Sequence, residues 1–490
     1  MSPQDAGPDS PPASGRWRAG PIVAAAGASA LLLAVSPRYG FHRDELYFLM
    51  AGRQLDWGFV DQPPLVPLIA RLSELVAGTS PFAIRVLPAL AVGAIALLVA
   101  SMARRLGGGA LAQTFAAFAT AWSGVVLGEG HLLSTAIFDF LFWTVALWIM
   151  VGILDGADPR WWIVLGLTVG IGMQNKHTIA LLAAGILIAL LASGRRRLLT
   201  SVWPWIGVAL AVVLAAPNLL WQATNGWPQL EMAAALRRRS DGPIAFLVLQ
   251  PALLSISLAV PAALGLWRLL RNPEQARWKP LGVTYLLLFV VVLVTAGKAY
   301  YIAPMYGLLL ASGAVWFESL AHRPRRVVAT ASAVGVAIGL FISLPLLPIR
   351  SASTLDATGE LGETVGWEEL VTQVAGIRAG IPSDEEIAIF TGTYGEAGAI
   401  DILGRSAGLP NATSGHNSYW LWGPPGPHGA IIGVGQVGHV LELVCPYVQQ
   451  VAEISNPYGV ANEEAGLPIL VCRDPARQLA DVWDEVRHYN

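Results

Sequence analysis

Charge is what this sequence has least of. Only 13% of its 490 residues are Asp, Glu, Lys or Arg, against 54% hydrophobic. A soluble domain carries about 25% charged residues. Half that supply cannot cover the water-facing surface of so long a chain, which excludes an ordinary soluble globule and points to a membrane protein. The net charge of −2 offers no basic footprint for nucleic acid. Cysteine is nearly missing too: Cys445 and Cys472 are the only two. No Cys/His spacing suits structural zinc, and there is no Walker motif, Gly-rich phosphate loop or nucleophile elbow.

Long apolar runs are what the sequence has instead. Residues 1–20, rich in Pro, Ser, Gly and Asp, read as a disordered cytoplasmic tail. A spanning helix needs about 20 mainly apolar residues. Windows of that length, centred near Ala28, Ala91, Phe118, Val145, Val169, Leu187, Ala209, Ser255, Phe289, Leu309 and Val336, predict a polytopic α-helical membrane protein with about eleven transmembrane helices. With the N-terminus in the cytoplasm, Arg104, Arg105, Arg160, Arg195 to Arg197, Arg268, Arg271, Arg277, Lys279, Arg323, Arg325 and Arg326 all fall in cytoplasmic loops, as the positive-inside rule requires. The chain is then a multi-pass plasma-membrane protein, and an odd span count leaves its C-terminal part outside.

Residues 21–348 are expected to form the membrane module, with a long first outer loop over 36–80. From 349 to 490 the apolar runs shorten to strand length at Glu386–Phe390, Gly429–Val434 and Leu467–Cys472, alternating with an amphipathic stretch at Trp367–Ala379. That alternation predicts an extracytoplasmic C-terminal α/β domain. Both cysteines lie in it. A disulfide is permitted outside the cytoplasm, and two buried thiols are the other reading, since spacing does not give distance.

The polar residues that break the apolar pattern gather on the outer side. The first loop crowds Arg43, Asp44, Glu45, Asp56 and Asp61 among Tyr47, Trp57 and Phe59, and Leu46 to Met50 suit a short helix lying on the membrane surface. Pro63 and Pro64 would then start a second helix. Glu129 and His131 sit at an outer turn. Asp139 lies inside an apolar run, where an ionisable group costs several kcal/mol and is a functional candidate, or else a carboxyl paired at the interface. Lys176 falls at the next outer turn, Arg237, Arg238 and Arg239 in the following loop, and Lys298, Tyr300 and Tyr301 at a later one. The arginines read either as a solvated charge run or as a clamp on a lipid phosphate, and Lys298 either snorkels or joins that clamp. In the outer domain Glu396, His416, Asn417 and Tyr419 suit sugar hydroxyls and faces, or an aromatic-rich core.

At these residues the chain resembles the GT-C glycosyltransferases of the protein O-mannosyltransferase and aminoarabinose lipid A transferase group. Asp44-Glu45 with Tyr47 is similar to the family's acidic motif. Asp61-Gln62-Pro63-Pro64-Leu65 is similar to its next motif, although many relatives have Lys where this chain has Gln62. Asp139 matches an acid at the start of the fourth span, and Lys298, Tyr300, Tyr301 and Pro304 resemble a later outer segment. The resemblance implies inverting transfer of a sugar from a polyprenyl-phosphate donor to an outer acceptor. It implies Asp44 as general base, with Glu45 and Asp139 orienting base and acceptor. Arg43, Lys176, Arg237 to Arg239, Lys298, Tyr300 and Tyr301 would hold the donor phosphate. Tyr47, Asp61, Gln62, Glu129, His131, Glu396, His416, Asn417 and Tyr419 would contact substrate. Membrane lipids and an acceptor protein, glycolipid or polysaccharide are the implied partners. No cofactor is required, and a divalent ion near Glu129, His131 and Asp139 is left open. A transporter or flippase for a lipid-linked sugar, or a non-catalytic envelope-assembly factor, are the competing readings. The polar groups collect at one face rather than the midplane, against the transporter, and the acid Asp139 inside the fourth span argues against the assembly factor.

Overall fold

The structure is a computed structural model describing residues 19–238, 242–351 and 359–489. The expected tail therefore lies outside it except for Ala19 and Gly20, which open the first helix, Ala19–Val35. Among the described residues six helices are long and apolar enough to span a bilayer: Pro81–Arg105, Thr135–Leu154, Trp203–Thr224, Pro273–Val294, Ala299–Ser319 and His322–Ser343. Ala110–Ala121 and Gly124–Gly130 form a seventh only as a pair bent by 56°. Ala19–Val35, Trp161–Met173, Thr178–Ala192 and Gly242–Leu253 are apolar but shorter. The polytopic helical class holds, but a count of eleven full-length spans is not reached. Turns cut several apolar runs: the one centred on Ser255 is broken there, where Ser255 and Ile256 both have positive φ.

Local chemistry sets the helix ends. Ser80 caps Pro81–Arg105 by accepting from the Ala83 N–H at 3.2 Å, with Pro81 at the first turn and Arg104 and Arg105 at the last. Ser134 caps Thr135–Leu154 in the same way. The arginine-bearing ends meet on one face: Arg277 pairs with Asp155, Gln275 reaches the Leu106 carbonyl and Glu318 receives the Gly109 N–H. The opposite face carries the C-terminal domain.

The loop over 36–80 folds into two helices, Arg43–Arg53 and Leu65–Ala77. The first, expected to lie along the membrane surface, is instead covered by protein. Residues Glu45 to Gly52 are all buried, because helix Tyr394–Leu403 of the C-terminal domain packs across it. Gly398 permits this: a Cβ there would stand 3.0 Å from the Leu46 backbone.

The C-terminal domain holds a five-stranded sheet of β1 (Ile387–Thr391), β2 (Ala412–Ser414), β3 (Ala430–Val434), β4 (Val448–Glu453) and β5 (Pro468–Arg473), ordered β2-β1-β3-β5-β4. β1 is parallel to β2 and β3, and β5 is antiparallel to β3 and β4. β1, β3 and β5 fall on the three expected runs. β2 spans only three residues, and β4 is a largely exposed edge strand, so neither carries a buried alternating pattern. Cys445 and Cys472 are joined in a disulfide with Cα atoms 6.1 Å apart, which settles between the two readings of that pair. The segments leaving the C-terminal ends of β1 and β2, where open α/β sheets present functional groups, carry Tyr394 and His416 toward helix Arg43–Arg53.

Candidate active site

His42-Arg43-Asp44-Glu45 starts its helix with a reciprocal cap. The His42 ring accepts from the Asp44 N–H, and Glu45 Oε2 accepts from the His42 N–H at 2.8 Å. Arg85 then grips Glu45 with two bonds of 2.9 and 2.6 Å, while also donating to the Ser36 and Gly40 carbonyls. The Leu133 N–H adds a further bond to Glu45 at 2.9 Å. Burial would raise the Glu45 carboxyl, but Arg85 and the two backbone donors outweigh it and hold the pKa below its ordinary value. With both oxygens engaged and no exposure, Glu45 is tied into the loop and presents no free oxygen at a surface. The sequence signal for Arg85 was a lone cation inside an apolar run, the same signal that singled out Asp139.

The neighbouring Asp44 is differently placed. Its side chain is 39% exposed, and Oδ1 accepts from the Tyr394 hydroxyl at 2.8 Å. Arg43 Nε lies 3.8 Å from Oδ1 and His42 Nδ1 4.0 Å from Oδ2. Arg43 itself is bound to Glu463, with Glu363 3.7 Å away, so its charge is paired with carboxylates of the C-terminal domain. Tyr47 packs on Tyr394 with ring centroids 4.8 Å apart and donates to Asp61 at 2.7 Å. Burial first, then the nearby Asp44, push the Asp61 carboxyl up to about 7. Two acids are thus joined through two phenols in contact.

Asp61 also lines a cavity of about 640 Å³. Its polar wall is Asp61, Gln62, Lys176, Arg237, Lys298 and Tyr301, and its apolar wall includes Leu181, Leu236, Phe246, Leu249 and Val292. Neither amide atom of the buried Gln62 has a hydrogen-bond partner, and Asn175 Oδ1 and Gln229 Nε2, on the same wall, are likewise unpartnered. Buried polar groups are nearly always bonded, so these amide atoms are available to a polar partner in the cavity. Lys176 sits 4.9 and 5.1 Å from the Tyr300 and Tyr301 ring centres. Burial opposes its charge, but the tyrosines, Asp139 and Glu129 outweigh that and raise its pKa. Asp139 stands one bond behind the cavity, accepting from Thr178 at 2.7 Å. Glu129 accepts from Ser134 and lies within electrostatic reach of both Lys176 and His42, so it sits between the cavity and the Asp44 side.

Not every expected contact converges. Arg237 reaches the cavity, Arg238 is exposed and off its wall, and Arg239 lies outside the described residues. His131 is buried with its ring on the Gly128 carbonyl. Glu396 completes the capping box of helix Tyr394–Leu403 with Thr393, is wholly buried and lines neither cavity. His416 is stacked between Tyr394 and His488, and Asn417 is buried with φ of 49°. Tyr419 donates to Asp401 at 3.0 Å and lines a larger cavity of about 680 Å³ over the C-terminal domain. That cavity is lined by Arg378 but by none of Lys176, Arg237 and Lys298, so the smaller one is the better site. Among the described residues no three His, Cys, Asp or Glu side chains are grouped to hold a metal.

Residues 61–221 match the family model described as dolichyl-phosphate-mannose-protein mannosyltransferase, less than half of the chain. A curated relative, the lipid A galacturonosyltransferase RgtD of Rhizobium johnstonii, is 29% identical over 182 residues, 37% of this chain and 38% of that protein. The match therefore spans well under half the length of that relative. Among solved structures, ArnT from Cupriavidus metallidurans bound to undecaprenyl phosphate aligns over 92% of this chain and 97% of that one, with a TM-score of 0.64 at 16% identity. The arabinofuranosyltransferase AftD from Mycobacteria aligns over 94% of this chain and 42% of that one, with a TM-score of 0.52 at 17% identity. The resemblance read from the first outer loop extends to the whole architecture, and this chain has the GT-C fold of the glycosyltransferases.

Proposed function

We propose that the protein transfers a sugar from a polyprenyl-phosphate donor to a hydroxyl-bearing acceptor, with inversion. The observation that carries the reading is the pairing of an accessible, hydrogen-bonded carboxylate, Asp44, with a cation-lined and apolar-walled cavity one phenolic layer away. The apolar wall suits a polyprenyl tail. Lys176, Lys298 and Arg237 suit the phosphate, and the unpartnered amides of Gln62, Asn175 and Gln229 suit sugar hydroxyls. The acceptor oxygen attacks the anomeric carbon and gives its proton to Asp44. The bond from that carbon to the phosphate oxygen breaks, and the electron pair leaves on the polyprenyl phosphate, whose charge the cations stabilise. With Gln62 neutral, the cavity's positive charge comes from the later turns. The reaction face is extracytoplasmic, a side supported by the collection of arginines on the opposite face. A glycolipid acceptor is favoured by the similarity to a lipid A galacturonosyltransferase.

The test is transfer of labelled sugar from a synthetic polyprenyl-phosphate donor in proteoliposomes. Asp44→Asn removes the proton acceptor and retains its shape, so the rate should fall by about 10²–10⁴-fold with donor binding kept. Unchanged transfer would remove Asp44 as the base.

A further inference from the structure

A second groove begins beside Leu181 of the first cavity's wall, runs toward the arginine face and is shaped for a different lipid. It runs between helices Trp161–Met173, Thr178–Ala192 and Trp203–Thr224, with a volume of about 250 Å³ and an almost wholly apolar lining. Gly166 and Gly207 form its floor, where the two helix backbones touch. Leu187, Trp205 and Val208 line its sides and are 45%, 61% and 54% exposed, so it opens to the surroundings of the helices. A groove of this kind in a spanning region accepts an acyl chain. What distinguishes it from an ordinary lipid-facing crevice is its rim. Leu199 lines the groove and ends the short helix Arg196–Leu199, and the Trp205 indole is fixed on the Leu199 carbonyl at 3.1 Å. Arg195, Arg196 and Arg197 are therefore held beside the opening. Arg160 reaches the same rim from the start of the neighbouring helix, its guanidinium 5.6 Å from the Trp203 ring. All four arginines are exposed, and none makes an ion pair among the described residues. Asp158, which caps the Arg160 N–H at 2.8 Å, is the one carboxylate adjoining them in the chain.

We propose that this groove is a binding site for an anionic glycerophospholipid, with one acyl chain between the helices and the phosphate on Arg160 and the Arg195–Arg197 run. The charge complementarity selects an anionic lipid over a zwitterionic one, because each basic side chain near a headgroup contributes about 1 kcal/mol, or about fivefold in affinity. The site is independent of the proposed transferase reading.

Native mass spectrometry of the full-length protein, titrated with phosphatidylglycerol or phosphatidylcholine, tests it. The protein should retain phosphatidylglycerol in preference. Arg196→Gln with Arg197→Gln should weaken that retention about fivefold per charge, leaving phosphatidylcholine retention unmoved. Leu187→Trp, which fills the groove and leaves every charge in place, should weaken it as well. Arg323→Gln with Arg326→Gln removes two exposed arginines outside the groove and should leave retention intact. An equal loss in that control pair would reduce the effect to diffuse surface charge and overturn the site. So would full retention in Leu187→Trp, or preferential capture of undecaprenyl phosphate over phosphatidylglycerol by the same arginines.

Discussion

Removing Arg85 should do more damage than removing any residue that touches substrate, and the structure says how much. The Glu45–Arg85 pair is fully buried, with side-chain exposures of 0% and 1%. Arg85→Met leaves the Glu45 charge with only the His42 and Leu133 N–H groups. An uncompensated buried charge of this kind costs about 3–5 kcal/mol, and the abandoned Ser36 and Gly40 carbonyls add about 1 kcal/mol each. Glu45→Gln keeps the shape and one acceptor oxygen, and leaves Arg85 charged on two carbonyls, again at about 3–5 kcal/mol. The double variant has neither stranded charge. It should be less destabilised than the sum of the singles by about 3 kcal/mol, near the upper end of measured couplings. The assay is a double-mutant cycle of unfolding in detergent, read by intrinsic fluorescence, with sugar transfer measured alongside. Additivity within about 0.5 kcal/mol would refute the pair as the hub of the loop. Full activity in the folded double variant would show that Glu45 does not orient Asp44.

Four further outcomes follow from the same geometry. Tyr394→Phe removes the hydroxyl that holds Asp44 and should lower the transfer rate about tenfold, while Tyr47→Phe frees Asp61 instead, so a rate loss in the second variant alone would reverse their importance. Gly398→Val pushes a branched side chain into the Leu46 backbone, costs about 1–3 kcal/mol as overpacking, and should cut transfer more than it lowers melting temperature, because it moves Tyr394 off Asp44. Burial pushes the Glu396 carboxyl up to about 8 from an ordinary 4.5, so between those values the folded chain keeps a proton that the unfolded chain releases. Stability should therefore fall as pH rises from about 4.5 to about 8, and Glu396→Gln should flatten that slope in thermal melts. Reducing Cys445–Cys472, or replacing both by Ser, opens a crosslink across a separation of 27 residues and should cost about 3–4 kcal/mol, visible as earlier proteolysis of the C-terminal domain.

The apolar content, the charge placement and the acids of the first loop were legible because each rests on local composition. A stretch rich in Leu, Val and Ala must leave water wherever it sits, and a run such as Ala430–Val434 is a strand in almost any context. Span length was less legible: a turn such as Gln174 to His177 or the break at Ser255 interrupts an apolar window without changing its mean. Tertiary structure decided which of two adjacent acids is accessible and which is locked in a buried ion pair. Asp44 and Glu45 belong to one acidic motif, but a single step along the helix turns their side chains about 100° apart, Glu45 into the Arg85 fork and Asp44 toward the Tyr394 hydroxyl supplied from 350 residues away. The same holds for Gln62, Arg43 and Glu396. Whether a polar side chain caps a helix, neutralises a neighbour or faces a cavity depends on partners brought from distant parts of the chain, and burial multiplies the energetic difference between those outcomes.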